Sequence, residues 1–319
     1  MVSSLSRRVV VCGDVINDIL VKPLSEIVWG SDTVSVISAR PGGSAANQAA
    51  WMGHLGLDVV FAGRCGARDH EYHRGELARH GVDARLACDA GAETGSIVIL
   101  VSSDGERTMF TDRGANLRLT PSDVPGELLD EAAVLHLTGY TFFSPSLRPV
   151  ALSLIEAARA RGVPVTVDPG SAAFLARLAP GEFVGWTSGA AVCFPNLDEG
   201  YVLTGEPDPL SMAASLAKRY AVVALKLGSG GCVLAVQGED PVRVAARSAD
   251  PRDTTGAGDA FCAAFLARWL SGQSLTDAAE FAVDIAATAI TTLGGRPPPP
   301  TPSARLSPAF PVPAPRPPA

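Results

Sequence analysis

Cysteine is sparse and unpatterned in this chain: six residues are scattered along 319, with no C-x-x-C pair and no dense spacing. That distribution supports neither a disulfide framework nor a zinc knuckle, and it predicts reduced thiols in a cytosol. Cationic excess is lacking too. Lys and Arg number 26 against 33 Asp and Glu, a formal charge of −7, which argues against duplex nucleic acid, because that binding draws on basic side chains neutralising phosphates. A small anion is a different matter, since backbone amides and a few local cations can hold one. Long apolar runs are also missing from the start of the chain: MVSSLSRRVVVCGD has two arginines and then a run ending at Gly13 and Asp14, too short for a signal-peptide core or a membrane span. The expectation is a cytoplasmic protein with no membrane partner. No G-x-x-x-x-G-K-[S/T] string occurs, which excludes a P-loop, and no G-x-S-x-G or coupled Ser/His/Asp pattern points to a hydrolase.

What is present is apolar material in short pieces. Hydrophobic residues make up 47% of the chain, ample for a sizeable core. Short β-branched runs recur at 9–13, 59–63, 97–101, 134–139, 163–168, 191–196, 222–228 and 232–236. Runs apolar on both faces suit a parallel sheet covered by helices. Ser146 to Gly162 reads as one of the helices, with Val150, Leu154, Ile155 and Ala158 on one face and Gly162 at its stop. Alternating strands and helices predict an α/β fold with a doubly wound, mainly parallel sheet. Two stretches break the alternation: 15–40, with VSVISA, and 95–113, a hairpin with Asp104 and Gly105 as its turn pair. Together they predict a small separate sheet placed to cover a site as a lid. The expected organisation is one domain over 1–296, followed by a Pro-rich tail over 297–319 with no periodicity.

The stretch DTTGAGDAF, Asp253 to Phe261, carries the chemistry. Phe261, Cys262, Phe265, Leu266 and Trp269 have helical spacing, and Gly272 marks the stop. GAGD therefore opens a helix, where the first amides lack intrahelical acceptors and the dipole adds positive charge. Gly256 and Gly258 let an anion approach those amides closely. Asp259, in the first turn beside that hole, is placed to take a proton from a hydroxyl attacking phosphorus.

The string resembles the C-terminal signature of the ribokinase-like sugar kinases, also called the phosphofructokinase B family. RPGGSAANQAAWMGHLG, Arg40 to Gly56, resembles that family's N-terminal GG-x-x-x-N-x-A signature, and the likeness runs from about Val9 to Pro300. The resemblance implies a ribokinase-like fold and ATP-dependent phosphoryl transfer to a hydroxymethyl group. Asp259 would be the catalytic base, and Gly256, Ala257 and Gly258 the anion hole. Gly42, Gly43 and Asn47 would meet the acceptor, with Asp18 binding its hydroxyls and Asp14 assisting. FPNLDEGYVLTG resembles the family's N-x-x-E element: Asn196 and Glu199 on the nucleotide side, Glu199 organising Mg²⁺ through water. LKLGSGG resembles the segment lining the nucleotide, bringing in Lys226, Gly228 and Gly231. Asp253 and Thr255, with carbonyls near 291–295, correspond to a monovalent-cation loop, so ATP, Mg²⁺ and K⁺ are the implied cofactors. Pairing of lid strands between copies implies a homodimer.

Other residues depart from the pattern. Ala67 and Arg68 stand where relatives often have acids, and Asp168 in VDPGSAAF is read as a strand-end carboxylate outside the catalytic set. His70 and His73 make an H-x-x-H spacing but are expected on a solvated face, and His136 as a satisfied core residue. Sugar-phosphate kinases of the family usually have lysine where this chain has Ser44, which favours a free sugar, ribose- or fructose-like. Arg113 and Arg40 leave a sugar acid open. Phe110, Phe142 and Phe143 leave a nucleoside open, since they suit either base stacking or a core. A non-catalytic sugar sensor is a further alternative, although its mark would be loss of the base.

Overall fold

The computed structural model describes residues 8–102, 107–247 and 249–298. Its strands are β1 (Arg8–Cys12), β2 (Ile16–Pro23), β3 (Ser35–Gly42), β4 (Asp58–Gly66), β5 (Val82–Asp89), β6 (Thr94–Val101), β7 (Arg107–Gly114), β8 (Ala132–Thr138), β9 (Val165–Asp168), β10 (Val192–Cys193), β11 (Val222–Lys226), β12 (Cys232–Val236) and β13 (Val242–Val244). Its α-helices are α1 (Ser44–His54), α2 (His70–Ala78), α3 (Tyr140–Phe143), α4 (Arg148–Ala160), α5 (Ala172–Leu175), α6 (Glu182–Thr187), α7 (Leu197–Thr204), α8 (Pro209–Leu216), α9 (Ala257–Trp269) and α10 (Leu275–Ala289).

The large sheet runs β13-β12-β11-β10-β9-β8-β1-β4-β5, parallel from β11 to β5. Burial on both faces follows from the alternation within β1. Val9 and Val11 pack toward α1, α9 and α10, while Val10 and Cys12 pack toward α4 and α8. Each face thus has its own apolar core, as a doubly wound sheet requires. β12 and β13 run antiparallel. The Gly228–Gly231 turn that joins β11 to β12 is too short for a parallel crossover.

The ribokinase-like α/β architecture expected from sequence is the observed one, with differences at the edges. β5 was not anticipated. It is an edge strand with only Val82 and Asp89 of its eight residues buried, so VDARLACD never forms a continuous apolar run. The 97–101 run lies in the small sheet, as the hairpin reading of 95–113 expects. That small sheet has the order β3-β2-β6-β7: β2 pairs with β3 and β6 with β7 antiparallel, and β2 joins β6 in parallel. It is built from the two stretches that broke the alternation. The Asp104–Gly105 turn and the tail beyond residue 298 lie outside the described residues.

α1 and α9 are buried almost all round: Ala45 to Met52 in one and Ala260 to Ala267 in the other. α9 therefore has no single apolar stripe, and its full burial replaces the one-sided face expected from spacing. Alanine at 45, 46, 49 and 50, and at 260, 263, 264 and 267, lets the two helices lie close. Phe265 fixes α9 from the other side, its ring edge-on to Phe194 with centroids 5.4 Å apart. Phe194 precedes the turn that carries Asn196. Replacing Phe265 by Ala removes this anchor and leaves a cavity, with an expected loss of about 3–5 kcal/mol of stability. The denaturant midpoint of the variant against the parent measures it.

Candidate active site

The site forms where the N-termini of α1 and α9 meet. Each helix begins at a glycine with left-handed backbone: Gly43 at φ 94° and Gly256 at φ 76°. A Cβ at Gly43 would lie 2.5 Å from the Asp14 carbonyl oxygen, and one at Gly256 would lie 2.4 Å from Gly295 Cα. Neither position admits a side chain. The first-turn amides of α9 therefore open onto a surface bare of side chains, with Lys226 Nζ only 3.4 Å from where a Cβ on Gly258 would stand. An anion there meets unpartnered amides and an ammonium together.

Asp259 faces this hole from the first turn of α9 and is held by three donors of α1. Ser44 Oγ and Gln48 Nε2 donate to Oδ1 at 2.8 and 3.0 Å, and Asn47 Nδ2 donates to Oδ2 at 3.2 Å. Burial pushes its pKa up to about 7, the Asp168 carboxylate adding to the rise while the three hydrogen bonds oppose it. A carboxylate with that pKa is matched to accepting a proton near neutrality. Ser44 thus binds Asp259 itself.

Asp168, set aside in the sequence as a strand-end carboxylate, lies at the centre of the site. Its Oδ2 accepts from Gln48 Nε2 at 3.0 Å, Lys226 Nζ at 3.1 Å and Cys262 Sγ at 3.2 Å, and its Oδ1 accepts from the Gly170 amide at 3.1 Å. Burial opposes the charge on Lys226, but Asp168 together with Cys262 and Glu199 raises its pKa. The ammonium therefore stays charged beside the hole. Gln48, fully buried, joins the two carboxylates through one amide nitrogen. With that nitrogen facing two acids, its Oε1 faces His136 Nε2 and accepts from it. His136 Nδ1 then accepts from Thr166 Oγ1 at 2.8 Å, a tautomer suited to a ring that burial keeps neutral, with its pKa lowered to about 4. His136 is the satisfied core residue expected, and it orients Gln48.

On the acceptor side, Asp14 binds α1 and the small sheet at once: Oδ1 accepts from the Ala45 amide at 3.1 Å and Oδ2 from Arg113 Nη1 at 2.9 Å. Arg113 also lies over the Tyr140 ring, 4.0 Å from its centroid. Asp18 is 9% exposed, and no described residue donates a hydrogen bond to its carboxylate. Its oxygens press against Gly42, where a Cβ would come within 2.1 Å. Burial, with Asp14 beside it, raises its pKa to about 7 against the lowering charges of Arg296 and Arg113. Asn47, expected at the acceptor, has both ends of its amide engaged by protein: the nitrogen by Asp259 and Oδ1 by Arg296 Nε at 3.4 Å.

On the nucleotide side, the N-x-x-E element is a capping box. Asn196 Oδ1 accepts from the Glu199 amide and Glu199 Oε2 from the Asn196 amide, both at 2.9 Å. Burial raises the Glu199 pKa to about 7, partly offset by Lys226. Gly228 and Gly231 shape the turn after β11.

One expectation is corrected. His73 is not on a solvated face: it is fully buried, with Nε2 3.1 Å from Asn17 Oδ1 and 3.5 Å from Asp69 Oδ2. Its pKa is lowered to about 4, by burial above all, and no group of metal-ligating side chains occurs among the described residues. The acid of the GRCGARD loop is Asp69, which accepts from Asn17 Nδ2 at 2.6 Å and from Thr94 Oγ1 and so binds β2 and β6. Asp253 and Thr255 both accept hydrogen bonds from Arg107.

Comparison with known proteins places the chain in a family. The chain belongs to the pfkB family of carbohydrate kinases, whose family model matches residues 6–302. Ribokinase of Arabidopsis thaliana is 28% identical over 302 residues, covering 90% of this chain and 77% of that one. ATP-dependent ribose-1-phosphate kinase of Halopiger xanaduensis is 31% identical over 245 residues, covering 76% of this chain and 77% of that one. Adenosine kinase from Sinorhizobium meliloti superposes with a TM-score of 0.83 at 26% identity, covering 91% of this chain and 95% of that one. The protein is a sugar or nucleoside kinase of this family, hence a phosphotransferase.

A general-base role for Asp259 predicts that kcat/KM falls as pH drops through about 7, the value to which Asp259 is raised. In Asp168→Asn, with one raising charge gone and Lys226 released, that acidic limb should move to lower pH. A pH–rate series on both proteins decides it. Asp259→Asn should lose roughly a hundred- to ten-thousandfold in kcat.

Proposed function

We propose that this protein transfers the γ-phosphoryl group of ATP to a hydroxymethyl group of a free sugar, ribose- or fructose-like, with Asp259 as general base. The observation that carries the reading is Asp259 itself: held by Ser44, Asn47 and Gln48 at the mouth of the α9 amides, with Lys226 beside them. The base takes the proton of the attacking hydroxyl. The Gly256–Gly258 amides and Lys226 stabilise the charge on the moving phosphoryl group, so positioning and electrostatics supply most of the catalysis. Asp18, with no hydrogen-bond donor among the described residues, is free to accept from the acceptor's hydroxyls and so to orient it.

The nucleotide lies on the side of Asn196, Lys226, Gly228 and Gly231. Capping uses Glu199 Oε2 and leaves Oε1 for a water of hydrated Mg²⁺, which suits an ion that keeps several waters. Bound there, Mg²⁺ neutralises phosphate charge. A site of action in the cytoplasm, where ATP is supplied, fits this reading.

A sugar acid is the second reading, because Nη1 of Arg40 and Nη1 of Arg296 are buried without partners. Arg296 also donates from Nη2 to the Gly42 carbonyl at 3.3 Å, which places it against the diglycine. A carboxylate on the acceptor would supply the missing acceptors. A nucleoside is less well served by the aromatics. Phe142 is buried and stacked on Trp186, and Phe143 stacks on Phe174 at 5.3 Å.

ADP release from MgATP with ribose, fructose, 2-keto-3-deoxygluconate, adenosine, inosine and fructose 6-phosphate tests the assignment. Turnover is expected on a free sugar or the sugar acid, and turnover on adenosine alone would overturn it.

The small sheet and its β2–β3 loop also expose apolar residues, with Trp29 in the loop at 89% and Val34, Val36, Ile37, Met109 and Phe110 each more than half exposed. We assign these residues to contact between two copies of the chain. Light scattering should give a dimer mass that falls to a monomer in Ile37→Asp.

A further inference from the structure

Asp253 and Thr255 open the loop that ends in Gly256, and their oxygens are already engaged. Asp253 is 5% exposed. Its Oδ1 accepts from Arg107 Nη2 at 2.6 Å and from the Thr255 amide at 2.9 Å, while its Oδ2 accepts from the Gly294 amide at 2.9 Å. Thr255 Oγ1 accepts from Arg107 Nη1 at 2.5 Å. One guanidinium thus spans two residues of the loop with two nitrogens, a fork that a point charge cannot reproduce. A monovalent ion on the same oxygens would sit against this guanidinium, with like charges a few ångströms apart in a partly buried place. The residues present do not fit such an ion.

The position of Arg107 gives the contact a wider consequence. It is the first residue of β7, so the ion pair joins the small sheet to a loop of the large domain. Gly294, bonded to Asp253, is followed by Gly295, whose Cα abuts Gly256 and whose carbonyl accepts from Trp51 Nε1 at 3.0 Å. A shift of Asp253 is therefore passed to the residues that shape the hole.

We propose that Arg107 is the resident cation of the anion-hole loop: its guanidinium fixes Asp253, Thr255 and the segment at Gly294, and makes phosphoryl transfer independent of added monovalent cations. Arg107 acts through the loop and is a positioning residue. The inference rests on the kinase reading for its effect on rate, but the ion pair itself is tested without turnover.

The experiment measures melting temperature, and separately kcat and KM, in potassium chloride and in tetramethylammonium chloride at equal ionic strength. The parent protein should give the same values in both salts. Arg107→Ala should lose kcat on the order of a hundredfold with acceptor KM little changed. Potassium should restore part of that kcat and raise the melting temperature of Arg107→Ala, because an ion that binds only the folded state stabilises it. Arg107→Lys, which keeps the charge without the fork, should lie between parent and Arg107→Ala. A potassium-selective rise in melting temperature or kcat of the parent overturns the proposal. So does an Arg107→Ala protein with unchanged kcat, or one whose losses potassium does not restore. If no acceptor turns over at all, the kinase reading fails while the melting series still judges Arg107.

Discussion

The candidate site depends on two helix N-termini being brought together and tied by hydrogen bonds across them. Asp259 belongs to α9, and its three donors belong to α1. The tie is possible because both helices present alanine to each other and begin at glycines that no other residue replaces. Were either helix displaced by the width of one larger side chain, hydrogen bonds of about 3 Å would be lost and the carboxylate would face water. The apolar core and the polar site are thus one construction seen from two ends.

The charges around that tie are arranged so that an acid, a second acid and an ammonium share a small volume without cancelling one another. Asp168 holds Lys226 at the hole and at the same time keeps Asp259 from ionising too readily. Gln48 touches both acids, so the separation between them is set by one amide whose own orientation is set by His136. A buried histidine at a distance from the chemistry acquires a role in this way: it decides which end of Gln48 faces the carboxylates. Leaving any member of such a network unpaired is costly in a low-dielectric interior, which favours a single arrangement of the whole.

Much of this was legible in the sequence, for physical reasons. DTTGAGDAF announces a helix N-terminus because glycines, a first-turn acid and an apolar run have few other joint explanations, and the two stretches without helical period form the separate sheet. What was not legible was set by tertiary contact. Asp168 ends a strand, and nothing local shows that Lys226, Cys262 and Gln48 converge on it. Gln48 lies among alanines in α1 and has no motif of its own to mark it as a bridge. Arg107 is separated from Asp253 by 146 positions, so a loop that looks open to an ion gives no sign of the guanidinium that enters it. β5 was missed because an edge strand need not be apolar on both faces. His73 illustrates the reverse error, since flanking charges suggested exposure while the ring packs inward against Asn17.

The small sheet meets the rest of the fold through polar pairs, Arg113 with Asp14 and Arg107 with Asp253 among them, whereas α1 and α9, which carry Asp259 and its donors, pack on the large sheet. On the proposed reading, recognition and phosphoryl transfer rest on separate parts of the fold. Substitutions along β2, β3, β6 and β7 can accumulate without disturbing α1 and α9, provided the anchoring arginines persist. A lineage built on this plan can drift from one acceptor to another while its chemistry stays fixed, and the sheet that meets the acceptor is where such drift would be recorded.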